Sequence, residues 1–202
     1  MNVLIGATTA FLIVLISMVI FALMARIQVK EDYEERYKIL EAFIKGQGLG
    51  DIISERHLSE IERKAKDIWV FTHDMTNDIG VQEAKEQENV IFETVKKNLA
   101  DGKVYTYFLP NTQKIHGSIV DFSDKHDYEK EQVSFCLIPP DEFHFVSEIA
   151  VYDAENEAPT QAVQWFPSNK MNYYIRMDEA HRNHIVGIGK MLLQKFGRKY
   201  NV

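Results

Sequence analysis

Cysteine is all but absent: Cys136 is the single thiol in 202 residues. One thiol builds no disulfide framework, so nothing in the composition calls for an oxidising compartment. A basic surplus is absent as well, with 23 Lys and Arg against 30 Asp and Glu and a net charge of −7. That balance excludes a general duplex-DNA binder, which needs a basic face, and leaves room only for a local basic pocket for a small anion. No internal repeat and no low-complexity tract interrupts the chain. No H-E-x-x-H motif is present, and Gly187-Ile188-Gly189-Lys190 lacks the glycine spacing and the Ser or Thr of a phosphate loop. No metal and no cofactor is expected.

Charge is missing altogether from Met1 to Ala25. The 23 residues Val3 to Ala25 would form a helix about 34 Å long, enough to span a hydrocarbon core of roughly 30 Å. A cleaved signal peptide would carry a basic start and a small-residue cleavage site, and neither is present. Residues 1–25 are therefore expected to be a transmembrane helix, with Gly6, Thr8, Thr9 and Ser17 available for helix packing or a pore. The first cations, Arg26 and Lys30, follow this stretch, so the positive-inside rule places the N-terminus outside a bacterial inner membrane and the rest in the cytoplasm.

Residues 26–50 read as a juxtamembrane helix and a glycine-rich hinge. Tyr33, Tyr37, Leu40 and Ile44 recur at spacings of four, three and four, an a/d seam that would join copies of the chain. Gly46, Gly48 and Gly50 end it. Residues 51–202 alternate helix and strand. A helix over Leu58–Lys66, whose polar face carries Glu60, Glu62, Arg63 and Lys64, precedes the near-continuous apolar strand Asp67–Thr72. A helix from about Gln82 to Ala100, stopped by Asp101-Gly102, leads to the strand Val104–Leu109. A helix near Gln113–Ser123 and the strand Gln132–Ile138 complete a β-α-β-α-β order, which implies a partly parallel sheet. Glu148–Asp153, Ala162–Phe166 and Asn172–Met177 then read as an antiparallel section, and Asp178 caps a final helix over Glu179–Phe196. The fold class expected is α/β: one N-terminal transmembrane helix, a helical stalk, and a mixed-sheet domain with a C-terminal helix.

In sheets of this kind ligands sit beyond the C-terminal ends of the parallel strands. Thr72, His73 and Asp74 follow the first of them, and Asn111, Thr112 and Lys114 follow the second, so these six are the candidate ligand-binding residues. The plainer alternative is turn chemistry, since Asn, Asp and Thr cap and turn wherever a strand stops. His181 and His184 read as solvated helix surface, and Cys136 as inert core.

The run Ile68-Trp69-Val70-Phe71-Thr72 with Asp74 and Asp78, followed by Asn98-Leu99, Gly102-Lys103 and Tyr105 to Pro110, resembles phospholipase-D-like domains of bacteria. In that family a strand ends in T-x-D, and an N-L-x-x-G-x-x-Y turn opens the next one. The resemblance implies a later strand bearing H-x-K-x-x-x-x-D, whose His attacks a phosphodiester and whose Lys holds its oxygens. Here Val146 stands in the His place, Glu148 in the Lys place, and only Asp153 persists, with His144 two residues too early. The resemblance thus implies a domain that has lost its catalysis and kept a binding site. In architecture the chain also resembles membrane effectors of bacterial anti-phage systems, such as the channel-forming effector of the Hailong system.

These observations together predict a homo-oligomeric, non-enzymatic membrane effector. It would be an ion channel controlled by a nucleotide or oligonucleotide bound to the cytosolic domain, with the membrane as partner and no duplex DNA. The alternatives are a membrane-tethered phosphodiesterase or nuclease using His73 or His144, and a passive scaffold.

Overall fold

Side chains of a strand point alternately to its two faces, so a strand without polar alternation has to be covered on both sides. Asp67–Phe71 is such a strand, with Ile68, Trp69 and Phe71 all essentially unexposed. The computed structural model describes residues 51–80, 90–145, 148–155, 160–167 and 172–197, all within a compact unit, Gly48–Val202.

In chain order the elements are β1 (Asp51–Ile53), α1 (Glu55–Lys64), β2 (Asp67–Phe71), α2 (Val90–Ala100), β3 (Val104–Pro110), α3 (Gln113–Lys125), β4 (Val133–Ile138), β5 (Ile149–Tyr152), β6 (Gln161–Pro167), β7 (Asn172–Arg176) and α4 (Glu179–Phe196). The seven strands form one mixed sheet in the order β1-β7-β6-β5-β2-β3-β4. β2, β3 and β4 are parallel to one another. β5 lies antiparallel on the other side of β2, and β6, β7 and β1 continue the antiparallel section. β1 is an addition to the strands expected. Three residues are too few for a periodicity, and Asp51–Ile53 becomes a strand only because β7 offers it an edge.

The helices start and stop for local reasons. The Ser54 hydroxyl accepts from the His57 N–H at 3.2 Å to cap α1, Thr112 caps α3 through the Ile115 N–H, and Asp178 caps α4 through the His181 N–H. Gly102 ends α2 with φ +80°, and the Lys103 N–H returns to the Asn98 carbonyl at 3.0 Å. The N-L-x-x-G-x-x-Y pattern thus has a structural task, and its first and last members meet: Asn98 Nδ2 donates to the Tyr105 hydroxyl at 2.8 Å.

One sheet face is covered by α1, α2 and α3, whose Leu58, Ile61, Val95, Leu99, Ile119 and Phe122 pack on Ile68, Tyr105 and Tyr107. The other is covered by α4, whose Leu192 shares a cluster with Trp69, Phe71, Phe108, Cys136 and Val151. Cys136 is buried there as expected, and burial pushes its thiol up to about 11.

The expected fold class needs correction in one respect. Among the described residues no helix is long and apolar enough to cross a membrane. The longest, α4, has 18 residues and carries Glu179, Arg182, Lys190 and Lys195, whereas a span needs about 20 that are mostly apolar. What the structure supports is a seven-stranded mixed sheet with four helices. The transmembrane helix, and with it the ion channel and the membrane as partner, has no support in it. The candidate packing residues Gly6, Thr8, Thr9 and Ser17 and the seam Tyr33, Tyr37, Leu40 and Ile44 lie outside the described residues.

The two glycines of α4 differ in what they do. A Cβ on Gly189 would lie 2.5 and 2.8 Å from the Trp69 ring and 3.1 Å from that of Phe71, whereas a Cβ on Gly187 meets nothing within 4 Å. Gly189→Ala is therefore expected to lower stability by about 1–2 kcal/mol, since overpacking a strand at the sheet centre outweighs the gain in helix propensity. Gly187→Ala should raise it by about 0.5–1 kcal/mol. Urea titration of both variants checks the opposite signs, and equal effects would remove Gly189 as the close-approach point.

Candidate functional site

β2 ends at Phe71, opposite Phe108 of β3, which runs on to Pro110, and the Thr72 N–H still donates to the Phe108 carbonyl. β5 arrives at the same end in the opposite direction, with Ile149 opposite Phe71, so Glu148 enters beside Thr72. Three chain segments thus converge where the sheet changes from parallel to antiparallel, the kind of place where α/β sheets hold ligands.

Thr72 is buried at 2% exposure, and its Oγ1 lies 2.6 Å from both Glu148 Oε1 and the Asp74 carbonyl oxygen. Asp74 Oδ1 accepts from the Thr76 N–H at 3.0 Å, and its Oδ2 lies 3.8 Å from Lys114 Nζ. His73 donates from Nε2 to the Phe145 carbonyl, and its ring meets Phe143 edge-on. Burial holds the Glu148 carboxyl above the usual glutamate range. The Thr72 hydrogen bond opposes that, the Asp74 carboxylate adds to it, and His73 opposes it again.

Of the six residues expected at the site, Thr72, Asp74 and Lys114 are brought together and His73 lines the same end. Asn111 turns instead to His116, 2.8 Å from its Nε2, and Thr112 is occupied as the α3 cap. His181 pairs with Asp178 at 2.8 Å on the exposed start of α4. Among the described residues no three His, Cys, Asp or Glu side chains converge as a metal would require.

A second polar group was not legible as a site. Glu62 of α1 is buried in the core, where Oε1 accepts from the Tyr105 hydroxyl at 2.6 Å and Oε2 from the Tyr152 hydroxyl at 3.4 Å. Asp78 is likewise buried and accepts from the Tyr107 hydroxyl at 2.8 Å. Burial raises both carboxyls, Asp78 to about 8, against the Tyr105 bond to Glu62 and the Tyr107 bond to Asp78. Glu62 had read as part of a polar helix face. The only available signal was the tyrosine pair at alternate positions of β3.

An acid whose folded pKa is raised binds its proton more tightly folded than unfolded. Its stabilising contribution is full below the ordinary pKa and is lost as pH rises through the folded one. Stability should therefore fall between about pH 4 and about pH 8. Asp78→Asn keeps an oxygen for Tyr107 and removes the titration. It should flatten that slope by about 1 kcal/mol per pH unit, within the limit of about 1.4 set by one proton. Thermal unfolding of both proteins across this range tests it, and an unchanged slope would show that Asp78 is ionised in the fold.

A hollow of about 630 Å³ lies at the opposite end of the sheet, with Arg63, Lys64, Lys66 and Lys103 around it beside Asp67, Asp101 and Glu155. The exclusion of duplex DNA rested on net charge alone and does not stand. A charge summed over the chain does not say where its cations gather. No family model matches the chain, and no curated protein does. Among solved structures, that of TrmBL2, an archaeal chromatin protein described as showing a novel mode of DNA binding, is similar to it at 10% identity and a TM-score of 0.41. The match covers 87% of this chain and 66% of that one, so the chain spans just under two thirds of the length of that protein.

Proposed function

We propose that the unit built on this sheet is a ligand-binding domain of degenerate phospholipase-D-like type. It performs no catalysis, and it takes a nucleotide or short oligonucleotide at the ends of β2 and β3. The observation that carries this reading is Glu148. By the family resemblance it stands where a lysine would grip phosphate oxygens, and its carboxyl is bonded to the Thr72 hydroxyl. A carboxyl cannot replace an ammonium in that task, and Val146 offers no nucleophile in the place of the histidine. His73 has its Nε2 engaged by the Phe145 carbonyl, and His144 is an exposed residue of the connecting segment.

The other family-like residues hold the fold. Asp153, at φ +57°, accepts from the Lys66 N–H at 2.8 Å, and Asn98, Gly102 and Tyr105 build the turn into β3. What remains for a ligand is the Asp74 and Glu148 carboxyls and the exposed ammonium of Lys114 at the ends of parallel strands. The ion-channel role is not part of this proposal, because it depended on the transmembrane helix.

Isothermal titration of the full chain with mononucleotides, cyclic dinucleotides and short oligonucleotides is expected to give saturable binding by at least one of them. Lys114→Glu should weaken that binding at least tenfold, about 1.4 kcal/mol. No phosphodiester should be cleaved. Absence of binding across the set would refute the ligand reading. Cleavage that disappears in His73→Ala or His144→Ala would replace it with the enzyme.

A further inference from the structure

We propose that Glu148 holds a proton in the folded protein at neutral pH, and that this proton locks the crevice wall from Thr72 to Thr76. The hydrogens at the Thr72 hydroxyl are too few for its contacts unless Glu148 supplies one. A threonine hydroxyl has one hydrogen to donate and two lone pairs to accept with. Thr72 Oγ1 lies 2.6 Å from the Asp74 carbonyl oxygen and 2.6 Å from Glu148 Oε1. Neither distance is tolerable between two oxygens with no hydrogen between them. A carbonyl brings no hydrogen, so the Thr72 proton goes to Asp74. The hydrogen on the other contact must then come from Glu148. The Asp74 N–H, 3.3 Å away, takes a further lone pair, and the hydroxyl then donates once and accepts twice.

The surroundings agree. Glu148 faces Asp74 and His73 on the segment after β2, with Asp78 further along it. From α3, Lys114 approaches Asp74, at 3.8 Å. From β6 the nearest group is the Trp165 N–H, which donates to the Glu148 carbonyl and carries no charge. Burial and the neighbouring Asp74 carboxylate favour the neutral acid, and His73 opposes it, as Thr72 would if its hydroxyl donated to Glu148.

Loss of the proton has a structural consequence. An ionised Glu148 draws the Thr72 hydrogen to itself and leaves the Asp74 carbonyl without a donor. The turn that aims Asp74 at the Thr76 N–H and at Lys114 is then released. It also places a second carboxylate beside Asp74, which repels a phosphate. Glu148 is thus a positioning residue, and anion binding at this crevice should weaken by up to tenfold per pH unit once Glu148 ionises. That last consequence rests on the ligand reading above, and the protonation does not.

The test is carbon-detected NMR of the glutamate carboxyls from pH 4 to 10 on the ligand-free full chain. The Glu148 signal is identified by its loss in Glu148→Gln, and the Asp74 and Thr76 amides are followed in parallel. The expected result is a Glu148 carboxyl still protonated at pH 7, with the two amides shifting as it ionises. In Glu148→Gln the side-chain NH2 donates to Thr72 as the acid does, so both amides should keep their low-pH positions throughout. A Glu148 titration near the ordinary value of about 4.3 would overturn the proposal. So would Asp74 and Thr76 amides that ignore it, a comparison the wild-type chain supplies even if the variant does not fold. Because no ligand is present, failure of nucleotide binding and failure of this inference are separate outcomes.

Discussion

Burial of β2 on both faces is the constraint from which the rest of the structure follows. With Ile68 on one side and Trp69 and Phe71 on the other, the strand needs helices above and below, and it needs partners on both edges. β3 can lie parallel to it only by a crossover, which delivers α2 to one face. β5 is free to lie antiparallel, since a long connection brings it back from β4. The boundary between the parallel and antiparallel sections therefore falls on β2 itself. The polar ends of three segments meet there, whatever ligand is held.

The core so built contains acids, and the way it keeps them is uniform. Glu62 meets two tyrosine hydroxyls and an asparagine amide, Asp78 meets a tyrosine hydroxyl, and Glu148 meets a threonine. None of these partners is a cation. Pairing a buried carboxylate with a buried ammonium would desolvate two charges, at several kcal/mol each, whereas hydroxyl partners let the acid remain neutral. The carboxyls hold one another in that state as well, because Glu148 and Glu62 each raise Asp78. Tyr105 and Tyr107 stand two residues apart on β3, so the same strand serves both buried acids on one face.

Chemistry and architecture separate cleanly at the residue level. Asp153, Asn98, Gly102 and Tyr105 are tied into backbone turns and buried hydrogen bonds, so changing them would cost the fold directly. Glu148 at the crevice is tied instead to a side chain, the Thr72 hydroxyl. A site made of two carboxyls and one lysine is governed by how many protons it holds.

The sequence by itself determined the succession of strands and helices, the Asp178 cap and the Gly102 stop. These depend on periodicity and on hydrogen bonds spanning three or four residues, which are local properties. It also brought Thr72, Asp74 and Lys114 into consideration, because strand ends can be located from the strands. Tertiary structure decided the rest. β1 exists through its partner strand, and Gly189 rather than Gly187 approaches β2 because only one of them faces Trp69. Glu62 is a core acid and not a surface one because two tyrosines, Tyr105 and Tyr152, close over it from strands that are distant in sequence. Thr72 and Glu148 are 76 residues apart and meet only across the sheet. Desolvation and proton sharing depend on what surrounds a group in three dimensions. No spacing along the chain encodes that.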